Sequence, residues 1–382
     1  MTFYLDNAAT TFPKPEAVCE AMLYYQQEVG VSSGRGAYKK ALEADGMLFK
    51  TRSILARLFN VKDASRIVFT SNVTESLNLA LKGMLGRGDH VVTTHMEHNA
   101  VWRPLKMLEK NRELQLTVLD CPDAKAFDLQ ELEEAVTPET RLVVINHASN
   151  VTGTLMPLKE AAAVCKKHEV PLLVDAAQTA GVYPVNVEEL GIDLLAFTGH
   201  KGLLGPSGTG GLYIAPHINL EPLKEGGTGG ESTLEHQPKH LPDRFEAGTP
   251  NMIGLAGLKA AVQFILDRGL ENIRGHEKEL TGLALEKLSE VPTLTLYGPS
   301  SAEERVAVLS FNLDSLPPEE VAYVLDEAYG IMVRAGLHCS PQAHRCLGTV
   351  ERGTVRIGLG IFNTEEEVEG LARALKDIAA RK

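Results

Sequence analysis

No block of basic residues occurs anywhere in the 382-residue chain, and its formal net charge is −12. Such a surface offers little to nucleic acid or to an anionic membrane, so neither is expected as a direct partner. No apolar run approaches the roughly 20 residues of a membrane-spanning helix. Met1-Thr2-Phe3 leads straight into a patterned segment, without the regions of a secretory signal. Cysteine is scarce: five residues, an odd number, irregularly spaced. That is a poor disulfide framework and suits a reducing, cytoplasmic location. There is no internal repeat and no low-complexity segment. What is present is ordinary globular composition, 44% hydrophobic and 23% charged, enough for a large domain and a smaller one.

A short strand and loop occupy residues 1–12. Helical spacing then runs from Pro13 to Gly30 and from Ala37 to Phe59. Strand patterns follow at Ile67–Thr70, His90–His95, Leu114–Asp120, Leu142–Asn146, Leu172–Asp175, Leu194–Thr198 and Gly211–Ala215. Helical patterns at 74–85, 101–110, 128–136 and 158–168 separate the earlier ones. This alternation predicts an α/β fold, a mostly parallel sheet flanked by helices on both faces. Gly226-Gly227-Thr228-Gly229-Gly230 breaks the pattern and reads as a mobile loop. Helical patterns at 253–267 and 273–288 lead into a smaller α+β unit.

Two stretches carry a paired chemistry. Lys201 follows the apolar run Asp193 to Phe197, in a turn punctuated by Gly199, Gly202 and Gly205. A lysine at the end of a buried strand is partly desolvated, which favours the neutral, nucleophilic amine. Taken alone, a surface lysine in a glycine loop is the plainer reading. The second stretch is Pro171 to Gln178, an apolar strand that stops on Asp175. That places a carboxylate at the strand's C-terminal edge, where open α/β sheets bind ligands. An amine that condenses with a carbonyl, and a carboxylate that keeps a pyridine nitrogen protonated, are the two needs of pyridoxal 5'-phosphate (PLP).

Val174-Asp175-Ala176-Ala177-Gln178, followed by Thr198-Gly199-His200-Lys201 and Gly205-Pro206, resembles the cysteine desulfurases of the class V aminotransferase family. So do Tyr4 to Thr11, Phe245 to Asn251 and Arg334 to Cys339. The resemblance implies a fold-type I PLP enzyme and a homodimer. It also implies that the N-terminal segment packs with the smaller unit. The expected division is therefore 13–252 for the large PLP-binding domain, and 1–12 with 253–382 for the small one.

Thr70 to Ser76 joins a strand to a helix, and Asn72 and Glu75 have capping-box spacing. A helix N-terminus at a sheet edge can take a phosphate, here through the Val73 N–H and the Thr74 hydroxyl; a well-capped helix is the plainer reading. By resemblance, Thr198 and His200 are further phosphate donors, and Thr249 reaches the phosphate of the partner subunit. His98 stacks on the pyridine ring and carries protons, for which an imidazole is suited; otherwise it is a helix-start histidine. Asn150 lies near the cofactor's phenolic oxygen and the substrate, Gln178 hydrogen-bonds that oxygen, and Ala177 packs on the ring face. Arg356 holds the amino acid's α-carboxylate, which a guanidinium can do with two parallel bonds.

Cys339, in His338-Cys339-Ser340-Pro341, corresponds to the family's nucleophile, which takes sulfur from the substrate as a persulfide. A neighbouring His338 would lower its pKa. An inert thiol and a metal cluster of His338, Cys339, His344 and Cys346 are the competing readings. Cys346 is structural or resolves an oxidised Cys339, while Cys19, Cys121 and Cys165 read as buried. The implied activity is conversion of L-cysteine to L-alanine, with sulfur passed to an acceptor protein, as iron–sulfur cluster assembly requires. The branch resembled, SufS-like, includes selenocysteine lyases, so L-selenocysteine is an alternative substrate. Another class V lyase or aminotransferase, and a PLP-binding sulfur carrier with little turnover of its own, remain as alternatives.

Overall fold

The computed structural model describes residues 2–34 and 36–381. In chain order its first elements are β1 (Phe3–Tyr4), α1 (Glu16–Tyr24), α2 (Lys39–Leu58), β2 (Ile67–Thr70), α3 (Val73–Met84), β3 (His90–Thr94), α4 (Asn99–Arg112) and β4 (Gln115–Leu119). Then come α5 (Leu129–Ala135), β5 (Thr140–Asn146), α6 (Leu158–Lys167), β6 (Leu172–Asp175), α7 (Val187–Leu190), β7 (Leu194–Thr198) and β8 (Gly210–Ile214). The last set is α8 (Met252–Arg268), α9 (Leu270–Ser289), β9 (Leu294–Tyr297), β10 (Val308–Leu313), α10 (Pro318–Tyr329), β11 (Ile331–Met332), β12 (Arg334–Gly336), α11 (Pro341–Cys346), β13 (Thr354–Gly358) and α12 (Glu365–Ala380).

Seven strands form the larger sheet in the order β2-β8-β7-β6-β5-β3-β4. From β7 to β4 every pairing is parallel. β8 runs antiparallel to both β7 and β2. Two reversals restore direction, so β2, β3, β5, β6 and β7 all end on one edge. Every residue of β3, β6, β7 and β8 is buried, as expected for strands covered on both faces. The chain leaves β3 for β4 on one side and returns as β5 on the other. That switch point opens a crevice at the carboxyl ends, and the candidate site lies there.

Glycine governs how tightly this edge is built. A Cβ at Gly210 would stand 2.7 Å from the Cα of Asn72, which caps α3, so only glycine lets α3 begin directly over β8. Around Lys201 the glycines serve the same purpose. Gly199 and Gly202 have ordinary dihedrals but would clash with the Thr209 hydroxyl and the Ala180 carbonyl. The left-handed residue of that turn is Leu204, at φ 60.

The smaller sheet has the order β12-β13-β10-β9 and is antiparallel throughout. The N-terminal segment does pack with it: β1 pairs with β11, and Asp6 bridges to Gly358. Leu5 joins Leu280, Phe311, Ile357 and Leu375 in its core. The boundary at 252/253 does not coincide with the cores. Leu258, Val262 and Ile265 of α8 belong to the larger core, because α8 packs against α1 and α2. The smaller core begins only within α9. Arg305, fully buried, spans the junction by donating to the carbonyls of Thr152 (2.5 Å) and Val308 (2.9 Å).

Candidate active site

Asp175 ends β6 and Lys201 lies three residues beyond β7, on adjacent parallel strands. Burial pulls the Lys201 ammonium down to about 8; nearby Arg356 adds to this, while Asp175, Asp6 and Cys339 oppose it. Burial raises the Asp175 pKa, against the Ala177 N–H at 2.9 Å and Lys201, which both favour its ionised form. The amine is thus tuned toward nucleophilicity and the carboxylate is held by one fixed donor.

His98 caps α4: its Nδ1 accepts the Ala100 N–H at 3.0 Å. Burial first, then Lys201, Arg356 and Arg103, lower its pKa to about 4, so the ring is neutral with its proton on Nε2. The helix-start reading holds, since His98 is the N-cap of α4. Asn72 caps α3 by accepting the Glu75 N–H at 3.0 Å. Only half of the capping box forms, because the Glu75 carboxylate turns instead to Ser71 and Lys224. The N–H groups of Val73 and Thr74 open the helix, where no intrahelical acceptor exists. Thr198 is buried and its hydroxyl faces the Thr209 carbonyl at 3.5 Å. The Gln178 amide donates to the Ala8 carbonyl at 3.1 Å. Burial holds the His200 ring neutral, with a pKa lowered to about 4, and its buried Nδ1 has no partner.

Cys339 is exposed on a pinned loop. Its carbonyl accepts the Asn99 N–H at 2.8 Å. Asn150 grips both neighbours: Nδ2 donates to the His338 carbonyl and Oδ1 accepts the Ser340 hydroxyl, each at 2.6 Å. His338 and Cys339 both sit at positive φ, 48 and 59, a conformation side-chain-bearing residues rarely adopt in succession. His338 does not assist the thiol by charge. Burial drives its pKa down to about 2, and its Nε2 faces Thr354. His344 turns to Thr349 in the same way. Among the described residues no group of three or more His, Cys, Asp or Glu is placed to hold a metal. Cys121 and Cys165 are buried, but Cys19 is exposed, on the outer face of α1. Cys339 lines an open groove together with Thr74, His98, Arg103 and Met107.

Arg356 lies inside β13 rather than on a solvated edge, 3% exposed. Its Nη1 donates to the Asn150 carbonyl (3.0 Å) and its Nη2 to Asp6 (3.1 Å), while Nε has no partner. Asp6 also takes Arg334 through Nε at 3.0 Å. Thr249 does not join this group; it is exposed in a separate groove with Ser71, Glu75 and Lys224. Sequence reasoning assigned nothing to Asp6 or Glu97. Glu97 is fully buried just past β3, and burial with nearby Asp175 raises its pKa to about 8. Its signal was available: like Asp175, it is an acid placed where a buried strand runs out.

Residues 3–371 match the family described as Aminotransferase class-V, and the chain belongs to it. Within that family its likeness is to cysteine desulfurases. A Halalkalibacterium halodurans protein described as "Probable cysteine desulfurase" is 36% identical, over 98% of this chain and 92% of its own length. The apo structure of cysteine desulfurase from Thermococcus onnurineus NA1 superposes with a TM-score of 0.94 at 35% identity, over 99% of this chain and 94% of that one. The S-sulfonic acid form of the Escherichia coli cysteine desulfurase CsdA gives 0.88 at 30%, with the same coverages. The fold is that of these enzymes, a mostly parallel α/β domain with a smaller companion.

Proposed function

We propose that the protein is a PLP-dependent cysteine desulfurase, working as a cytoplasmic homodimer that hands sulfur to an acceptor protein. The observation that carries this is Cys339, exposed on a loop pinned to α4 beside His98, with the Lys201–Asp175 pair beneath. The donor set fits PLP part by part. Lys201 offers a partly neutral amine to the carbonyl, Asp175 a carboxylate to the ring nitrogen, and His98 a neutral flat ring. The α3 N-terminus with Val73 and Thr74, together with Thr198, His200 and the partner's Thr249, would hold the phosphate; the unpartnered Nδ1 of His200 is a polar atom such a ligand would satisfy. Gln178 and Asn150 would meet the phenolic oxygen.

When bound, PLP supplies an electron sink that weakens the bonds around the amino acid's α-carbon. The residues of the chain do the rest. Arg356 holds the α-carboxylate, with Asp6 fixing the plane of its guanidinium. Lys201, His98 and the strand ends exclude water and carry protons. The Cys339 thiolate attacks the substrate sulfur. The Cβ–S bond breaks, an S–S bond forms, and Cβ takes a proton. L-cysteine and the enzyme thiol thus become L-alanine and a Cys339 persulfide, with no external oxidant. Exposed Leu23, Tyr24, Leu42 and Phe49 on α1 and α2 offer apolar surface for a second copy.

Mass spectrometry after addition of cysteine should find one extra sulfur on Cys339. Cys339→Ala should keep its cofactor and lose sulfide release, while Cys346→Ala changes little. Full activity of Cys339→Ala on cysteine would hand the reading to another class V lyase.

A further inference from the structure

Glu246, three residues before Thr249, makes a contact that the chemistry above does not use. Its carboxylate takes both arms of Arg52, Oε1 to Nη1 at 2.6 Å and Oε2 to Nη2 at 2.9 Å. The Phe69 N–H donates to Oε1 at 2.6 Å. The guanidinium also donates to the Ile67 carbonyl and lies 4.3 Å from the centre of the Phe69 ring. The Arg52 side chain is buried and that of Glu246 largely covered, 6% and 13% exposed. A buried ion pair adds little net stability, because desolvation offsets its attraction. A two-pronged pair does fix geometry.

The geometry it fixes joins two elements that face phosphate. Arg52 belongs to α2, and Ile67 and Phe69 belong to β2, which runs through Ser71 and Asn72 into the N-terminus of α3. Glu246 opens the segment that carries Thr249. Beyond Thr249, Asn251 is fixed as well: it donates to the Gly208 carbonyl at 3.0 Å and accepts the Gly254 N–H at 3.0 Å. Between these anchors Gly248 turns the chain at φ 93, its N–H on the Gly227 carbonyl at 2.8 Å. Residues 247–250 are a strap tied at both ends, with Thr249 exposed in its span.

We propose that Arg52 and Glu246 are positioning residues for cofactor binding across the dimer. The pair sets the Thr249 strap at a fixed height against β2 and the start of α3. Since both protomers carry the same tie, each strap meets the partner's α3 phosphate site in register. The inference rests on the reading that Thr249 reaches the partner's phosphate.

The test is a titration of apoprotein with PLP, read as a dissociation constant, for wild type, Thr249→Ala, Glu246→Gln and the double variant. Glu246→Gln keeps the shape and an acceptor for Phe69 but removes the charge. Each single variant should weaken PLP by about tenfold, the worth of one charge-assisted contact. The double variant should be no weaker than Thr249→Ala alone. Arg52→Lys, which keeps the charge and loses the fork, should behave as Glu246→Gln does. Melting of the apoproteins separates this from a fold defect, since Glu246→Gln should shift it equally with or without Thr249. If Glu246→Gln weakens PLP equally in both backgrounds, or not at all alone, the positioning role is overturned. If Thr249→Ala leaves PLP affinity unchanged, the assignment of Thr249 fails first, and the positioning role with it.

Discussion

What surrounds Lys201, not what it is, favours its neutral amine. With its pKa pulled down to about 8, the ammonium holds its proton below that value and the amine is free above it. Capture of PLP by the apoprotein should therefore quicken as pH rises from 6 to 8 and level off beyond, measured by the growth of absorbance on mixing. A rate flat across that range would mean that Lys201 is not the acceptor. Asp6 is the complementary case. It stands between Arg334 and Arg356, and Arg356 is buried. Asp6→Asn should leave that guanidinium uncompensated, costing about 3 kcal/mol of stability. It should raise KM for cysteine more than it lowers kcat, since the carboxylate clamp loses its orientation. The sequence made Asp175 and Lys201 legible through position: each ends a buried strand. It could not show Asp6 meeting Arg356, because that contact joins the two ends of the chain. Nor could adjacency in sequence say that His338 faces Thr354 and stays neutral.

Elements deliver these residues to one edge. The strand patterns marked β2 to β8 correctly, and β6, β7 and β8, buried on both faces, read as plain apolar runs. The reversed direction of β8 was not legible, since a strand's direction leaves no trace in its own composition. That the two cores part within α9 rather than after residue 252 was not legible for a related reason. α8 is apolar nearly all round, and no pattern says which core will claim it. The loop at 337–340 carries the proposed nucleophile, and Asn150 holds both sides of Cys339. Asn150→Ala should release the positive-φ pair to relax. We expect persulfide formation to slow by about tenfold while the PLP absorbance band remains, and stability to fall by about 1–3 kcal/mol from the two lost buried bonds. Persulfide yield at fixed times by mass spectrometry, beside a thermal melt, would show both.

At the scale of the whole molecule, two acids buried in different places should bend the stability curve the same way. Burial raises both Glu97, beside the crevice, and Glu277, in α9, to about 8. An unfolded glutamate releases its proton near about 4.3. Between these values the two acids bind more protons in the folded chain than in the unfolded one, so their contribution to stability is greatest at the acid end and falls as pH rises toward 8. Each acid contributes at most about 1.4 kcal/mol per pH unit. From pH 5 to pH 8 the melting temperature of the wild type should fall relative to that of Glu97→Gln with Glu277→Gln, while the buried neutral histidines tilt both curves alike. An equal fall in both would show that other groups set the slope.

The pairing of β1 with β11 also puts assembly in a particular order. Phe3 and Tyr4 leave the ribosome long before the strand they join, Ile331–Met332. The larger sheet, with Asp175 and Lys201 at its edge, needs only residues synthesised before α8. During synthesis the lysine is therefore built long before the thiol, and the first residues wait unpaired for their partner. Thr11, whose N–H and hydroxyl donate to the carbonyls of His200 and Lys201, ties the N-terminal segment to the Lys201 turn.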